Sequence, residues 1–135
     1  FVTAKAAIDH FWSDDAFAKS VQKKGQYIAD RLDAIAAQYG TGNFTALGRG
    51  MMRGISCVNG DLASKITRKA FKQNMLIETS GADDQVVKFL CPLTISEENL
   101  KKGLDIVEQA IKEVCAAENS IPEEYDYFAE ESLAS

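Results

Sequence analysis

Lys88 is a charged side chain inside the apolar segment VVKFL, residues 86–90, and it is the residue here that most clearly suggests chemistry. If this segment is a β-strand, alternation places Lys88 on the opposite face from Val87 and Phe89. An ammonium group near an apolar core needs an anionic partner or access to water. Two interpretations therefore stay open. Lys88 points to solvent from an edge strand, or it points into a cleft and binds a carboxylate there.

Other polar residues give weaker signals. The glycine-rich segment GRGMMRG, residues 48–54, is neither a phosphate loop nor a dinucleotide fingerprint, since no Gly-Lys-Ser/Thr follows and no GxGxxG precedes a helix. Arg49 and Arg53 can bind anions, but a structural role is expected for Arg53 on the flank of a strand. His10 has no local Ser, Cys or Asp arranged as a triad, so we predict that it packs on a helix face.

Composition excludes several classes of function. The formal net charge of -5 and the isoelectric point near 4.9 argue against nucleic acid or an anionic membrane as the main partner. Cys57, Cys91 and Cys115 form no CxxC pair, and the chain has one histidine, so no metal site is predicted. Free thiols are typical of a reducing cytoplasm, which is the predicted location. No segment approaches the roughly 18 apolar residues of a membrane span.

The elements that must position Lys88 follow from periodicity. Apolar residues at helical spacing predict helices over residues 1–12, 14–39 and 61–74, and a long one after Ser96. Asn74 suits a left-handed helix end. Strands are predicted over residues 51–57, 75–78 and 86–90. The predicted fold is therefore α+β, a small three-stranded sheet, antiparallel or mixed, with helices packed on one face.

The two ends of the chain differ from this pattern. The sequence begins at Phe1 within an amphipathic pattern, which predicts that the chain is a fragment of a longer protein. Residues 118–135 are acidic, with aromatic residues that follow no clear period. We predict a poorly ordered tail there, and docking of Tyr125, Tyr127 and Phe128 on another surface is the alternative.

Three segments resemble a known family. The stretches LGRGMMRGI, ASKITRKAFKQNMLIETSG and VVKFLCPLTISEENLKKGLDIVEQAI are similar to the C-terminal small domain of class III pyridoxal-phosphate aminotransferases. The resemblance assigns residues 1–117 to that domain. In the family a strand ends before Pro-Pro-Leu, and here the proline pair is Cys91-Pro92. Within the class, FVTAKAAIDHFWSDDAFAKSV, RGMMRGI and IETSGADDQVVKFL are most similar to the branch that forms diaminobutyrate in ectoine biosynthesis.

The resemblance implies an activity for a larger enzyme. That enzyme would transfer an amino group from glutamate to aspartate semialdehyde, giving 2,4-diaminobutyrate and 2-oxoglutarate. Pyridoxal phosphate would be its cofactor, and its Schiff-base lysine would lie in a large domain before Phe1. The implied partners are that large domain and a second copy in a homo-oligomer, with no nucleic acid or membrane. No catalytic residue and no cofactor are predicted for this chain alone, which is expected to be inactive.

The resemblance also implies a role for Lys88. Most class III enzymes have an arginine at this point, where it holds the α-carboxylate of the substrate. Lysine is a compact point charge and gives less angular control than the arginine fork. Glu78, Thr79 and Ser80 are expected to line the same substrate wall, with turn formation as the alternative for Thr79 and Ser80. The alternative function is a non-enzymatic α+β binding or assembly module derived from an aminotransferase domain.

Overall fold

The computed structural model describes residues 1–40 and 42–118. The tail predicted for residues 118–135 therefore lies outside the described residues, apart from its first residue. The chain forms four helices and four strands within the described ranges: α1 (Val2–Phe11), α2 (Ala16–Tyr39), β1 (Phe44–Arg49), β2 (Met52–Cys57), α3 (Gly60–Lys72), β3 (Glu78–Ser80), β4 (Val86–Phe89) and α4 (Glu97–Glu118). The predicted α+β class is confirmed.

The sheet has four strands rather than the three predicted from the sequence. Its order is β1-β2-β4-β3, and each neighbouring pair is antiparallel. Strand β1 was missed because glycines weaken the alternation that marks a strand. Gly48 has φ 105°, and a Cβ there would lie 2.2 Å from the carbonyl oxygen of Met52. Only glycine fits this close pairing of β1 with β2.

The strand predicted between α3 and the Lys88 strand was placed too early. Residues 75–78 were expected to form it, but β3 begins at Glu78 and ends at Ser80. In the β3–β4 pair Glu78 lies opposite Lys88, so Met75 and Leu76 would lie opposite Cys91 and Leu90, beyond Phe89, where β4 ends. Asn74 closes α3 with φ 62°, as predicted, and the segment after it connects the helix to β3 without pairing.

One face of the sheet carries the core. The sheet residues buried there include Phe44, Ile55, Val87 and Phe89, and they pack against apolar stripes of α2, α3 and α4. The predicted stripe of α4 is buried throughout: Leu100, Leu104, Val107, Ile111 and Val114. Each fully buried side chain of this size contributes about 1.5–3 kcal/mol of transfer free energy. The core therefore holds the strands that carry the predicted site.

The opposite face of the sheet is open. Its residues include Leu47, Met52, Lys88 and Glu78, which we call the outer sheet face. Leu47 and Met52 are both exposed. Helix α1 also contributes no buried residue, and its aromatic end contacts the start of α2 through Phe17. Within the described ranges, no helix has the length and apolar character needed to span a membrane.

Candidate functional site

A cleft of about 380 Å³ lies where the ends of β3 and β4 meet the first turns of α4. We call it the β4 cleft. Apolar side chains form most of its wall, with a lysine, a glutamate and an asparagine among them. The residues that line it are Met75, Leu76, Ile77, Glu78, Lys88, Phe89, Leu90, Cys91, Pro92, Ile95, Asn99, Leu100, Gly103 and Leu104. An apolar cleft with a few polar groups is the usual form of a small-molecule site.

Lys88 lies on the wall of this cleft. Its side chain is 32% exposed, between the two extremes that the sequence left open. Its Nζ is 3.8 Å from Oε2 of Glu78, which lies directly opposite in the β3–β4 pair. On the other side Gly54 of β2 pairs with Lys88 and adds no side chain. The ammonium group therefore has one loosely held partner and open space beside it.

The other predicted wall residues divide into two groups. Glu78 lines the cleft with Lys88, while Thr79 and Ser80 are not part of the lining. Thr79 pairs with Val87, and Ser80 pairs with Val86 just before Gly81, whose φ is 97°. The structure therefore brings Lys88 and Glu78 together and places Thr79 and Ser80 in the strand and its turn. Substrate binding by these residues stays a prediction.

The contact between Lys88 and Glu78 is weak. The side chain of Glu78 is 76% exposed, and the two charged atoms are 3.8 Å apart. Exposed pairs of this kind contribute about 0–1 kcal/mol, since water screens the charges and two side chains lose freedom. A carboxylate that enters the cleft can therefore replace Glu78 at little cost. This is the arrangement expected of a cation that exchanges partners.

Lys24 of α2 is a polar residue near the site that sequence reasoning missed. It is only 9% exposed, and its Nζ donates a hydrogen bond to the carbonyl oxygen of Leu93 at 3.0 Å. This bond ties α2 to the segment that follows β4. Helical spacing could have predicted the burial of Lys24. This residue lies three positions after Val21 and four before Ile28, on the apolar stripe of α2.

The other charged residues singled out from the sequence, Arg53, Arg49 and His10, do not line the β4 cleft. Arg53 donates hydrogen bonds to the backbone carbonyl oxygens of Gly25, Gly48 and Gly50, so its predicted structural role is confirmed. Arg49 is exposed at the end of β1. The exposed His10 ring meets the edge of its neighbour Phe11, with ring centroids 4.6 Å apart. Neither residue lines the β4 cleft.

The cysteines are not arranged for nucleophilic chemistry. Cys57, Cys91 and Cys115 form no disulfide with one another. Burial raises the pKa of Cys57 to about 12, and it also raises the pKa of Cys91, which lines the β4 cleft. A thiol with a raised pKa stays protonated near neutral pH and reacts slowly. No group of three or more metal-ligating side chains occurs in the part of the chain that the structure describes.

The chain matches one protein family over most of its length. The model of the class-III aminotransferases matches residues 2–111. That range includes all four strands, both walls of the β4 cleft and Lys88. The match therefore covers the whole of the candidate site.

Curated relatives agree with this match, and a solved structure shows a similar fold. A diaminobutyrate–2-oxoglutarate transaminase from Halomonas elongata is 49% identical over 115 residues, covering 84% of this chain and 27% of that protein. One of the same name from Vibrio parahaemolyticus is 42% identical over 116 residues, covering 86% and 28%. A lysine aminotransferase structure from M. tuberculosis has a TM-score of 0.69 at 24% identity, covering 81% and 24%. The chain thus spans about a quarter of the length of these proteins.

Proposed function

Because the chain belongs to the class III aminotransferase family, we propose that it forms the small C-terminal domain of a diaminobutyrate-forming aminotransferase. The complete enzyme transfers an amino group from glutamate to aspartate semialdehyde and releases 2,4-diaminobutyrate and 2-oxoglutarate. The observation that carries the proposal is the 49% identity to the Halomonas elongata protein, whose name contains diaminobutyrate and 2-oxoglutarate. The second relative of the same name supports the same choice of substrates.

In this proposal the β4 cleft forms one wall of the substrate site. Glutamate, aspartate semialdehyde and both products carry at least one carboxylate. Lys88 binds that carboxylate as a point charge, and Glu78 moves aside into water. The half-buried position of Lys88 supports this role, since a cation shielded from water interacts more strongly with an anion than an exposed one does. The apolar wall then contacts the carbon chain of the substrate.

Pyridoxal phosphate is the cofactor proposed for the complete enzyme, where it supplies an electron sink for the carbanion. The described residues do not fit it on their own. The lining of the β4 cleft has one lysine, which is near Glu78, and no aspartate to pair with the pyridine nitrogen. Its phosphate-binding side chains are limited to Lys88 and Asn99. No step of the reaction is therefore assigned to a cofactor held by these residues.

The proposed partner of this chain is the large domain of the same enzyme. The outer sheet face supports this, since Leu47 and Met52 are exposed on the same face of the sheet as Lys88. The α1 region supports it as well, because Ile8 in the helix and Trp12 directly after it are more than half exposed. Contact at these surfaces would close the β4 cleft against the rest of the active site. We also propose a homo-oligomer and a cytoplasmic location, and the absence of a disulfide between the three cysteines favours this location.

The experiment that tests the proposal compares the 135-residue chain with the complete enzyme. Each is mixed with pyridoxal phosphate, reduced with borohydride and mapped by mass spectrometry for a modified lysine. Each is also assayed for 2,4-diaminobutyrate formation from glutamate and aspartate semialdehyde. We expect turnover and one stoichiometric modification from the complete enzyme, and neither from the chain.

Three results would contradict parts of this proposal. Turnover by the chain alone would overturn its predicted inactivity. A complete enzyme that binds pyridoxal phosphate but makes no 2,4-diaminobutyrate would overturn the substrate assignment and leave the family intact. A complete protein with neither adduct nor turnover would instead favour the non-enzymatic binding module.

A further inference from the structure

A second pocket, of about 280 Å³, lies between α2 and the first turns of α4. We call it the α2–α4 pocket. Three of the side chains that line it are lysines, and the full set is Lys23, Lys24, Tyr27, Glu97, Leu100 and Lys101. Leu100 also lines the β4 cleft, so this side chain lies between the two cavities. Lys88 and Glu78, which carry the charge of the proposed substrate wall, do not line the α2–α4 pocket.

The three lysines of this pocket differ in whether a carboxylate balances their charge. Nζ of Lys23 lies 2.8 Å from Oε1 of Glu97, and Nζ of Lys101 lies 2.6 Å from Oδ2 of Asp105. Lys24 has no salt bridge in the described ranges, and its one hydrogen bond goes to the neutral carbonyl of Leu93. Counting Glu97, the lining carries a net charge of +2 (three lysines minus one glutamate).

Lys24 also differs from the other two lysines of the pocket in its burial. It is nine-tenths buried, whereas Lys23 and Lys101 are mostly exposed. An ammonium group has three N–H donors, and the bond to Leu93 uses one of them. A buried charge without a counter-ion is costly, because the protein replaces little of the hydration that it loses. Glu97 balances the charge of Lys24 only at a distance, since it accepts its hydrogen bond from Lys23.

We infer that the α2–α4 pocket binds a small organic carboxylate, whose oxygens accept hydrogen bonds from Lys24. Tyr27, Leu100 and the methylene chains of the lysines form an apolar wall for the carbon part of this ligand. A monovalent carboxylate suits the pocket better than inorganic phosphate does. Lys23 and Lys101 each pair with a carboxylate, so the charge of Lys24 is left for a ligand and one negative charge matches it. Phosphate also offers nothing to the apolar wall. The inference is independent of the transaminase activity.

Nuclear magnetic resonance titration of the 135-residue chain tests this inference. Sodium butyrate is the probe, with sodium phosphate and sodium chloride at equal ionic strength as comparisons. We expect saturable shifts of the backbone amides of residues 23, 24, 27, 100 and 101 with butyrate, and smaller shifts with phosphate. Absence of saturable shifts at these amides would overturn the inference, and so would equal responses to butyrate and phosphate.

A matched pair of variants then tests the role of Lys24. Lys24→Met keeps the length of the side chain and removes its charge. Loss of a charged hydrogen bond should weaken butyrate binding by about tenfold or more. Lys72→Met makes the same change at an exposed position of α3 and should leave butyrate affinity unchanged. Equal affinities of the two variants would overturn the inference. If Lys24→Met does not fold, the location of the wild-type shifts decides it.

Discussion

The ammonium nitrogen of Lys88 lies 3.8 Å from Oε2 of Glu78, across an antiparallel pair in which the two residues are directly opposite. Their exposure is unequal, since 76% of the Glu78 side chain and 32% of the Lys88 side chain are accessible to water. Glu78 can therefore turn into solvent while Lys88 stays on the cleft wall. Under the proposed function, Glu78 holds the place that a substrate carboxylate takes.

This relationship predicts the effect of removing Lys88 from the complete enzyme. Lys88→Ala should lower kcat/KM for glutamate by about tenfold to a hundredfold, since a hydrogen bond to a charged group contributes about 1.5–3 kcal/mol. Steady-state kinetics over a range of glutamate concentrations measures it. Lys72→Ala, on an exposed part of α3, is the control and should have no effect. An unchanged kcat/KM for Lys88→Ala would remove Lys88 from the site.

Substitution of Glu78 should have the opposite effect on carboxylate binding. Glu78→Gln keeps the shape of the side chain but removes the charge that competes for Lys88. KM for glutamate should therefore fall, by no more than a fewfold because the pair is weak. The same kinetic assay measures this change. A rise in KM would mean that Glu78 helps to hold the substrate rather than competing with it.

A close backbone contact predicts that alanine substitution at two helical glycines, Gly25 and Gly103, changes the free energy of unfolding in opposite directions. A Cβ on Gly25 of α2 would lie 2.7 Å from the carbonyl carbon of Gly50, in the turn between β1 and β2. Gly25→Ala should therefore lower the free energy of unfolding by about 1–3 kcal/mol, because backbone cannot move aside as a flexible side chain can. Urea unfolding followed by circular dichroism measures it.

Gly103→Ala in α4 is the matched control. The nearest atom to its Cβ would be Cε of Met75 at 3.6 Å, an ordinary contact at the end of a flexible side chain. Alanine should stabilise the helix there by about 0.5–1 kcal/mol. Equal effects of the two substitutions would show that the contact between Gly25 and Gly50 does not restrict the packing of α2.

The sequence was sufficient to predict the helices and the residues that anchor them. The apolar stripe of α4 follows helical spacing from Leu100 to Val114, and every predicted member is buried. The left-handed end of α3 at Asn74 was also predictable, because asparagine tolerates this conformation better than most residues do. Local periodicity and caps determine these features, so no tertiary information was needed to find them.

Features that depend on contacts distant in sequence were harder to predict. Strand β1 is stabilised by pairing with β2 across two glycines with positive φ, a pattern that looks like a loop in the sequence. Burial of Lys24 depends on a carbonyl 69 residues away. Met75 and Leu76 lie outside β3 because β4 ends at Phe89, before the positions that would face them. In each case the partner, rather than the local sequence, decides the structure.

Stability should depend on acid pH through Asp105. Hydrogen bonds from Lys101 and from Arg31 lower its pKa below the ordinary 3.8. A group with a lowered folded-state pKa stabilises the fold above its unfolded-state pKa, and this contribution disappears as pH falls through the folded-state value. The free energy of unfolding should therefore fall between about pH 5 and pH 2, and Asp105→Asn should reduce that slope.

Urea unfolding at several pH values measures this dependence. Asp33→Asn, at an exposed position of α2, is the control and should keep the wild-type slope. If Asp105→Asn and wild type lost stability in parallel with falling pH, the ion pairs to α2 and within α4 would not contribute. Added salt offers a second check. It screens exposed ion pairs and should therefore make the free energy of unfolding less dependent on pH.

The outer sheet face should make the isolated chain self-associate. Leu47 and Met52 are exposed on the same face of neighbouring strands, diagonal to each other, and apolar patches of this kind favour contacts between molecules. Light scattering should show a mass that rises with concentration, and Leu47→Glu with Met52→Lys should suppress the rise. Phe71→Lys, which removes an exposed apolar residue of α3, is the control. A monomer at all concentrations would contradict this prediction.

Thiol reactivity should separate Cys57 from the other cysteines. Burial raises the pKa of Cys57 to about 12, so at pH 8 only about one molecule in ten thousand carries its thiolate. An unfolded cysteine has a pKa of about 8.5 and is then roughly a quarter thiolate. Modification of Cys57 in the folded chain should therefore be at least about a hundredfold slower than in urea, since thiolate is the reactive form.

Timed alkylation with peptide mass spectrometry measures the rate of modification at each cysteine. Cys91 is only partly buried and should react faster than Cys57 in the same sample. Equal rates at the two sites would show that the core around Cys57 opens faster than the reagent reacts.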